Sequence, residues 1–293
     1  MFGIKLSNDQ VLKYVAASGA LAYDGKGWIY DWPFRWLGLL QEDQFTIVMK
    51  TVTRQPRAGN YRWWKPWGVL WFIPGGTVNA FDLTNGGIDW LCRRVCPNLD
   101  FSLNLIPSIL GDPSELAEMA RMLNDWGEFR AVEVNVSCPN TGDDLLQNAG
   151  KAVRGFEAVR NNSRFPVIGK LSVVQNYPWI VERSTGLVEA WDINSVPWWR
   201  IYPDTPSPLA HHGGGGVSGK AAQPFTWAMV KSLAALSDIP VIGPSVWEYG
   251  DIAELLALGA GAVSFGALFL SYPWRPTNLV ARDLAVGRPE IIG

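Results

Sequence analysis

The chain has few of the residues from which metal, disulfide and nucleic-acid sites are built. It contains two histidines, which are adjacent (His211 and His212), and three cysteines (Cys92, Cys96 and Cys138). These cysteines are too few and too irregularly spaced for a disulfide framework or a zinc site. A formal net charge of -2 gives no basic surface for nucleic acid. We therefore predict no metal site and no nucleic-acid partner, and we interpret Cys92 and Cys96, one helical turn apart, as buried core thiols.

The chain also lacks a membrane signal. Its N-terminus has no charged segment followed by the apolar run of a signal peptide. Residues 255–274 carry no charge, but three glycines and one proline interrupt them, and 262–265 is typical of a short strand. The sequence therefore predicts no transmembrane span, and together with the sparse cysteines it predicts a cytoplasmic protein.

Tryptophan is abundant, with 16 residues. Several of these lie close together in predicted loops. Packing within those loops is the favoured interpretation, and an aromatic surface for a partner subunit or a membrane interface is the alternative. The clustered residues are Trp28, Trp32, Trp36, Trp63, Trp64, Trp67, Trp71, Trp198 and Trp199.

Eight short apolar or β-branched runs recur along the chain, and helix-compatible segments lie between several of them. This alternation predicts an α/β protein, and eight runs in 293 residues favour a (β/α)8 TIM barrel. Two long connections, 52–87 and 195–216, predict long inserted loops at its C-terminal face. No repeat or linker divides the chain, so residues 1–293 are predicted to form a single domain. The predicted strands are 13–17, 45–49, 101–105, 132–134, 166–169, 187–193, 239–242 and 262–265.

Lysine, asparagine, serine or glycine follows seven of the eight predicted strands. In a parallel barrel these positions converge on the C-terminal face, where active sites are built. The strand ends carry two lysines and no acidic pair, which favours an anionic planar ligand over glycoside or metal chemistry. The residues are Ser18, Gly19, Lys50, Thr51, Asn135, Lys170, Asn194, Ser195, Gly243 and Gly266.

The two lysines and Cys138 suggest a redox reaction. A lysine beside a flavin stabilises the negative charge that reduction places on the ring. Pairing of Lys50 or Lys170 with a core carboxylate is the alternative. Cys138 lies three residues beyond a strand end, and a thiol of pKa about 8.5 needs only a modest depression to act as a base near neutral pH. No histidine is close in sequence, so a proton acceptor beside a hydride acceptor is a more economical role than a Cys–His nucleophile.

Glycine-containing turns follow the last two strands, where barrels commonly bind phosphate. The turn after strand seven is 243–245 (Gly-Pro-Ser), and the turn after strand eight is 266–267 (Gly-Ala). A further glycine run at 213–219 is either a loop that approaches a ligand closely or a flexible linker.

In this order, the motifs resemble those of the dihydroorotate dehydrogenases and of the related flavin domain of dihydropyrimidine dehydrogenase. The most specific match is Glu-Val-Asn-Val-Ser-Cys-Pro-Asn at 133–140. The resemblance spans most of the chain. The other matching segments are 17–19, 50–53, 56–60, 74–79, 167–172, 193–195, 215–219 and 239–243.

The resemblance implies an FMN-binding barrel that oxidises dihydroorotate to orotate in de novo pyrimidine biosynthesis. Cys138 would take the proton from C5 while the C6 hydride passes to flavin N5. A cysteine at this position is similar to the soluble members of the family. The implied substrate residues are Lys50, Asn79, Leu83, Asn135, Asn140, Asn194 and Ser195. The implied cofactor residues are Ala17, Ser18, Gly19, Lys50, Thr51, Asn135, Lys170, Asn194, Gly216, Gly243, Ser245, Gly266 and Ala267.

Two departures from the family pattern leave alternatives open. Asp82 stands where the family's substrate loop usually has glycine, and Pro244-Ser245 replaces a Gly-Gly phosphate loop. A carboxylate at Asp82 would permit a neutral dihydropyrimidine as substrate, and a flavin-binding protein without turnover is a further alternative. The sequence does not specify the electron acceptor (fumarate, a quinone or a partner subunit), nor does it distinguish a homodimer from other assemblies.

Overall fold

Eight parallel strands form the centre of the molecule. The computed structural model describes residues 2–62, 65, 68–137 and 148–287. The strands are short and buried, as expected for a parallel sheet covered by helices. They are β1 (Tyr14–Ala16), β2 (Thr46–Val48), β3 (Asn104–Ile106), β4 (Val132–Asn135), β5 (Val167–Leu171), β6 (Ala190–Ile193), β7 (Val241–Gly243) and β8 (Ala260–Phe265).

The strands close into a barrel, which confirms the predicted fold. Each strand pairs in parallel with the next, except that β4 pairs with the continuation of β3, and β8 pairs with β1. β2 continues as Val52–Thr53, and β3 continues beyond Pro107 as Ser108–Leu110, which pairs with both Val52–Thr53 and β4. Pro107 has no N–H to donate, and its carbonyl instead accepts the N–H of Glu133.

Helices surround the barrel, and local sequence signals account for their ends. Asp112 caps Pro113–Asn124 by accepting the N–H groups of Ser114 and Glu115, with proline at the first turn. The other helices are Trp32–Trp36, Gly87–Trp90 (continued by the π-helical turn Leu91–Val95), Ala149–Arg160, Tyr177–Glu182, Trp198–Ile201, Gln223–Leu236, Tyr249–Ala257, Ala267–Ser271 and Arg275–Val286. Short 3₁₀ turns are Ile29–Asp31, Glu42–Gln44, Cys96–Asn98, Ala210–His212 and Lys220–Ala222.

The two long connections are more ordered than the sequence indicates, because they pair with each other. They form a four-stranded antiparallel sheet, here called the cover sheet, in the order Val196–Pro197, Gly216–Gly219, Gly76–Asn79 and Leu70–Ile73. Two glycines are required where the strands meet. A Cβ on Gly76 would lie 2.1 Å from the Ser218 carbonyl oxygen, and Gly219 has a φ of +101°.

The opposite end of the barrel is closed by an N-terminal hairpin, Ile4–Lys5 with Val11–Leu12. Its apolar side chains pack against residues from inside the strands, including Val15, Val48 and Ile242. Cys92 and Cys96 are free and buried in the main core, as predicted. Within the described residues, no helix is long and apolar enough to cross a membrane.

Candidate active site

A cavity of about 400 Å³ lies at the C-terminal ends of the barrel strands, beside the cover sheet. Residues following β1, β2, β4, β5, β6, β7 and β8 line it, so the seven strand ends identified from sequence do converge. Fourteen of the residues named from the resemblance line this cavity. They are Ala17, Ser18, Gly19, Lys50, Thr51, Asn79, Leu83, Asn135, Lys170, Asn194, Ser195, Ser245, Gly266 and Ala267.

The other four residues named from the resemblance are not among the described residues that line the cavity. A Cβ on Gly243 would lie 2.8 Å from Leu255, so this glycine faces the surrounding helices. Gly216 lies behind Ser195, whose Oγ would be 2.3 Å from a Cβ at that position. Cys138 and Asn140 fall outside the described residues.

A chain of buried hydroxyl groups runs across the bottom of the cavity. The Ser18 and Thr51 hydroxyl oxygens are 3.1 Å apart, and Thr51 is 2.8 Å from the Ser108 Oγ. Ser108 donates to Glu133 Oε1 at 2.6 Å, while Asn135 Nδ2 donates to Thr51 at 3.3 Å. The chain joins polar groups of four strands into one network and fixes their side-chain positions.

Lys170 reaches the cavity from an ion cluster on three neighbouring strands. Its Nζ lies 3.1 Å from Asp192 Oδ2 and 3.3 Å from Glu133 Oε2, and all three side chains are at most 5% exposed. The sequence-based view that the strand ends carry no acidic pair therefore misses two carboxylates just below them. Pairing with core carboxylates, the alternative considered for the lysines, is what the structure shows for Lys170, although Lys170 also lines the cavity.

Burial and charge set the protonation of this cluster. Loss of solvation raises the pKa of Glu133, the Lys170 ammonium opposes that rise, and Asp192 reinforces it. Desolvation lowers the pKa of Lys170, but Asp192 and Glu133 more than offset it, so that pKa is raised and Lys170 is a cation.

Hydrogen bonds hold the backbone that leads from β4 to Cys138. Asn135 Oδ1 accepts the N–H and hydroxyl of Ser137 at 3.1 and 2.8 Å. Asn194 Nδ2 donates to the Ser137 carbonyl at 3.1 Å, and Gln175 Nε2 donates to the Val136 carbonyl at 2.6 Å. The segment is therefore fixed up to the residue that precedes Cys138.

Aromatic and charged side chains lie on the opposite wall. Lys50 Nζ is 5.6 Å from the ring centroid of Phe81, and Tyr61 stacks on that ring. Asp82 and Leu83 line the cavity with left-handed backbones, at φ values of +50° and +52°. This conformation suits glycine best and is tolerated by aspartate.

The tryptophans differ in burial, and Trp28 and Trp36 of the clustered residues are examples. Trp28 lines the cavity and donates its Nε1–H to the Gly19 carbonyl at 2.9 Å. Trp191 is fully buried, whereas Trp36 is 77% exposed. Packing explains the first two but not Trp36.

The lining fits a planar ligand with an anionic group. Within the described part of the chain, the Thr77 hydroxyl is buried against the cavity without a hydrogen-bond partner. Two lysines, amide groups and the left-handed Ser245 turn add donors on other sides. No group of histidine, cysteine or acidic residues that would hold a metal is found among the described residues.

Sequence reasoning missed Glu133, Asp192, Ser108, Thr77 and Phe81. The signal for the first two was present, because each is an acidic residue inside an otherwise apolar strand. Such a residue is rarely buried unless paired. Thr77 and Phe81 belong to the long connection predicted as loop, where no periodicity marks them.

The fold and this cavity define a (β/α)8-barrel enzyme whose site is built from strand ends. A model of the family "Dihydroorotate dehydrogenase" matches residues 35–279, and the chain belongs to that family, whose members are oxidoreductases.

The sequences of named relatives and the fold of a solved structure are similar to this chain. The chain is 34% identical over 247 residues to "Dihydroorotate dehydrogenase B (NAD(+)), catalytic subunit" of Desulforudis audaxviator, which covers 81% of this chain and 78% of that protein. It is 31% identical over 235 residues to "Putative dihydroorotate dehydrogenase A (fumarate)" of Pediococcus pentosaceus, covering 75% of each. Ligand-free DHODH from Eimeria tenella has a similar fold, with a TM-score of 0.72 at 12% identity, covering 97% of this chain and 86% of that chain.

Proposed function

We propose that this chain catalyses the FMN-dependent oxidation of dihydroorotate to orotate. One observation carries the proposal: residues from seven strand ends, named from a family resemblance, line a single cavity in a chain of that family. Relatives of similar length carry the name dihydroorotate dehydrogenase, which supports the substrate. This activity would place the chain in de novo pyrimidine biosynthesis, in the cytoplasm.

FMN, when bound, supplies the hydride acceptor at its N5 atom. Lys170 and Lys50 would stabilise negative charge on the ring, while Ser18, Thr51 and Asn135 supply hydrogen-bonding groups. Ser245, Gly266 and Ala267, after β7 and β8, would hold the phosphate. A Cβ at Gly266 would contact the Cβ of Ala17 at 3.4 Å, so this glycine leaves space at the cavity wall.

The chain's own residues would manage the substrate and its proton. Asn79, Asn135 and Asn194 offer amide donors and acceptors to the edges of a pyrimidine ring, together with Lys50, Leu83, Asn140 and Ser195. Cys138 would accept the C5 proton. Support for this role is the hydrogen bonding of Ser137, because a base must be held in one place relative to the proton it removes.

A neutral dihydropyrimidine is the second candidate substrate. The specific observation is Asp82, whose carboxylate lines the cavity and would repel the carboxylate of dihydroorotate.

An anaerobic titration separates these possibilities. Protein purified with bound flavin should be yellow and lose its colour on addition of dihydroorotate. Bleaching by dihydrouracil but not by dihydroorotate would assign the neutral substrate. Protein that neither carries nor binds FMN would reject the cofactor, and flavin that neither compound bleaches would indicate a binding protein.

The base is tested in the same experiment. Cys138→Ala should keep flavin and slow its reduction by about 100-fold or more, as expected for loss of a general base. In Cys92→Ala, which changes a buried thiol that does not line the cavity, the flavin should be reduced at the normal rate. An unchanged rate for Cys138→Ala would remove Cys138 from the mechanism.

The electron acceptor is a further proposal. One relative is named as the catalytic subunit of an NAD(+)-linked enzyme, which favours a partner subunit that carries electrons onward. Another is named for fumarate. Turnover of the isolated chain with fumarate alone would show that no partner is needed.

A further inference from the structure

The ion cluster below the cavity contains one more acidic group than basic groups. Lys170 supplies one positive charge, and Glu133 and Asp192 supply two negative charges when both are ionised. Glu133 is fully buried and Asp192 nearly so. A net charge of -1 without solvent around it is unfavourable, so burial favours the binding of one proton by the cluster, and further negative charge nearby favours it more.

The hydrogen bonds indicate where that proton resides. Glu133 and Asp192 both contact the Lys170 ammonium, which brings the two buried carboxyl groups together around one cation. Asp192 accepts the backbone N–H of Ile193 at 2.9 Å and lies closer to the ammonium than Glu133 does. Glu133 receives only a serine hydroxyl and a longer contact to Lys170, so it is the better site for the proton.

Charged and polar groups on three other barrel strands face Glu133. Lys170 lies on β5, Asp192 lies on β6, and Ser108 follows β3. Lys50, at the end of β2, is the other cation of the cavity. Burial raises the pKa of Glu133 to about 7, so the charge of this carboxyl group changes near neutral pH.

We propose that Glu133 and Asp192 are positioning residues that hold the Lys170 ammonium at the cavity floor, and that Glu133 binds a proton when negative charge arrives above it. This inference rests on the proposed function, in which reduction of the flavin brings that charge. When the flavin is reduced, one proton from solvent binds a Glu133 carboxylate oxygen and forms one O–H bond. The proton returns to solvent when the flavin is reoxidised.

The flavin midpoint potential should therefore depend on pH through Glu133. In the wild-type holoprotein, one additional proton per two electrons steepens the slope between pH 6 and 9 by up to about 30 mV per pH unit. Glu133→Gln, which cannot exchange that proton, should lose this additional slope. Glu118→Gln, which removes an exposed carboxylate paired with Arg54, should keep the wild-type slope.

Asp192→Asn provides a second variant. It removes the like charge beside Glu133, so Glu133 should ionise at lower pH and the steep region should move toward acid. Equal slopes in wild type, Glu133→Gln and Asp192→Asn would overturn the inference. If one of the two variants does not fold, the slope or shift of the other decides.

A measurement without flavin separates this inference from the proposed function. Since the folded pKa of Glu133 is raised, its ionisation destabilises the folded state as pH rises. The melting temperature of apoprotein Glu133→Gln should therefore increase relative to wild type from pH 5 to 8. Protein that binds no FMN defeats the proposed function, whereas a difference in melting temperature that does not change with pH defeats the proton-binding role of Glu133.

Discussion

The floor of the cavity and its cover hold their polar groups in different ways. On the floor, Lys170 is enclosed by two carboxylates from adjacent barrel strands, and hydroxyl groups continue the network. On the cover side, Lys50 is half buried and lies against the Phe81 ring. Both lysines end a strand and line one cavity, so their positions in sequence are equivalent. The comparison shows that the strand neighbours, not the lysine, decide how much each charge contributes to stability.

Removal of the Lys170 charge should have the largest effect. Lys170→Met leaves Glu133 and Asp192 buried without a counterion, and breaking a buried pair in this way costs about 3–5 kcal/mol of unfolding free energy. The pKa of Glu133 is already raised by burial, and loss of the Lys170 ammonium, which opposes that rise, would raise it further. Ionisation of Glu133 therefore destabilises the folded variant as pH rises, so the loss should be larger at pH 8 than at pH 5. Urea unfolding at both pH values measures it.

Lys50→Met is the matched control for that experiment. It removes the same charge from a half-buried side chain with an aromatic contact, which is worth about 0.5–1 kcal/mol at such sites. Equal losses for the two variants would show that the floor and the cover do not differ in the way described.

Much of the floor could be predicted from sequence, because it depends on short-range signals. Apolar runs mark the strands, and Asn135 or Lys170 at the end of a run is placed at the cavity by the barrel itself. The acidic residues Glu133 and Asp192 inside apolar strands were a signal of buried charge, but their pairing with Lys170 could not be predicted, since it depends on the register of three strands.

The pairing of the cover-sheet strands could not be predicted from local sequence patterns. Gly76–Asn79 pairs with Gly216–Gly219, more than 130 residues away, and neither segment has an apolar period. The positions of Thr77 and Phe81 follow from that long-range pairing, so both were missed.

The close approach within the cover sheet gives the second-largest expected effect. Gly76→Ala would place a Cβ 2.1 Å from a carbonyl oxygen, and relief of such overpacking costs about 1–3 kcal/mol. The affinity for FMN, measured by fluorescence quenching, should weaken with it because Thr77 moves. Gly250→Ala has open space around it on a helix and should be neutral or slightly stabilising. An unchanged free energy of unfolding in Gly76→Ala would mean that the cover sheet relaxes around the added methyl group at little cost.

A buried carboxyl group beside the cavity gives a smaller, pH-dependent effect. Burial raises the pKa of Asp31 to about 7, although Trp28 N–H and Arg35 oppose the rise. Because the pKa of Asp31 is higher in the folded state than in the unfolded state, its contribution to the free energy of unfolding is full at acid pH. That contribution is lost as pH rises through 7. Asp31→Asn keeps an acceptor for Trp28, so it should match wild type at pH 4 and exceed it by about 1 kcal/mol or more at pH 8. Thermal unfolding at both values tests this, and parallel curves would contradict it.

The smallest effect is expected at Trp36. A variant at this position tests whether this tryptophan packs against the core or forms part of an exposed aromatic surface. Its side chain is 77% exposed on the short helix Trp32–Trp36, so it contributes little to the core. Trp36→Gln should change the unfolding free energy by less than about 0.5 kcal/mol. Trp191→Phe, at a fully buried site, should cost more, since it leaves a cavity. A large loss at Trp36 would extend the packing interpretation to the loop after β1. A neutral result leaves that tryptophan available for contact with another surface, and the same variant can then be compared with wild type for turnover with fumarate.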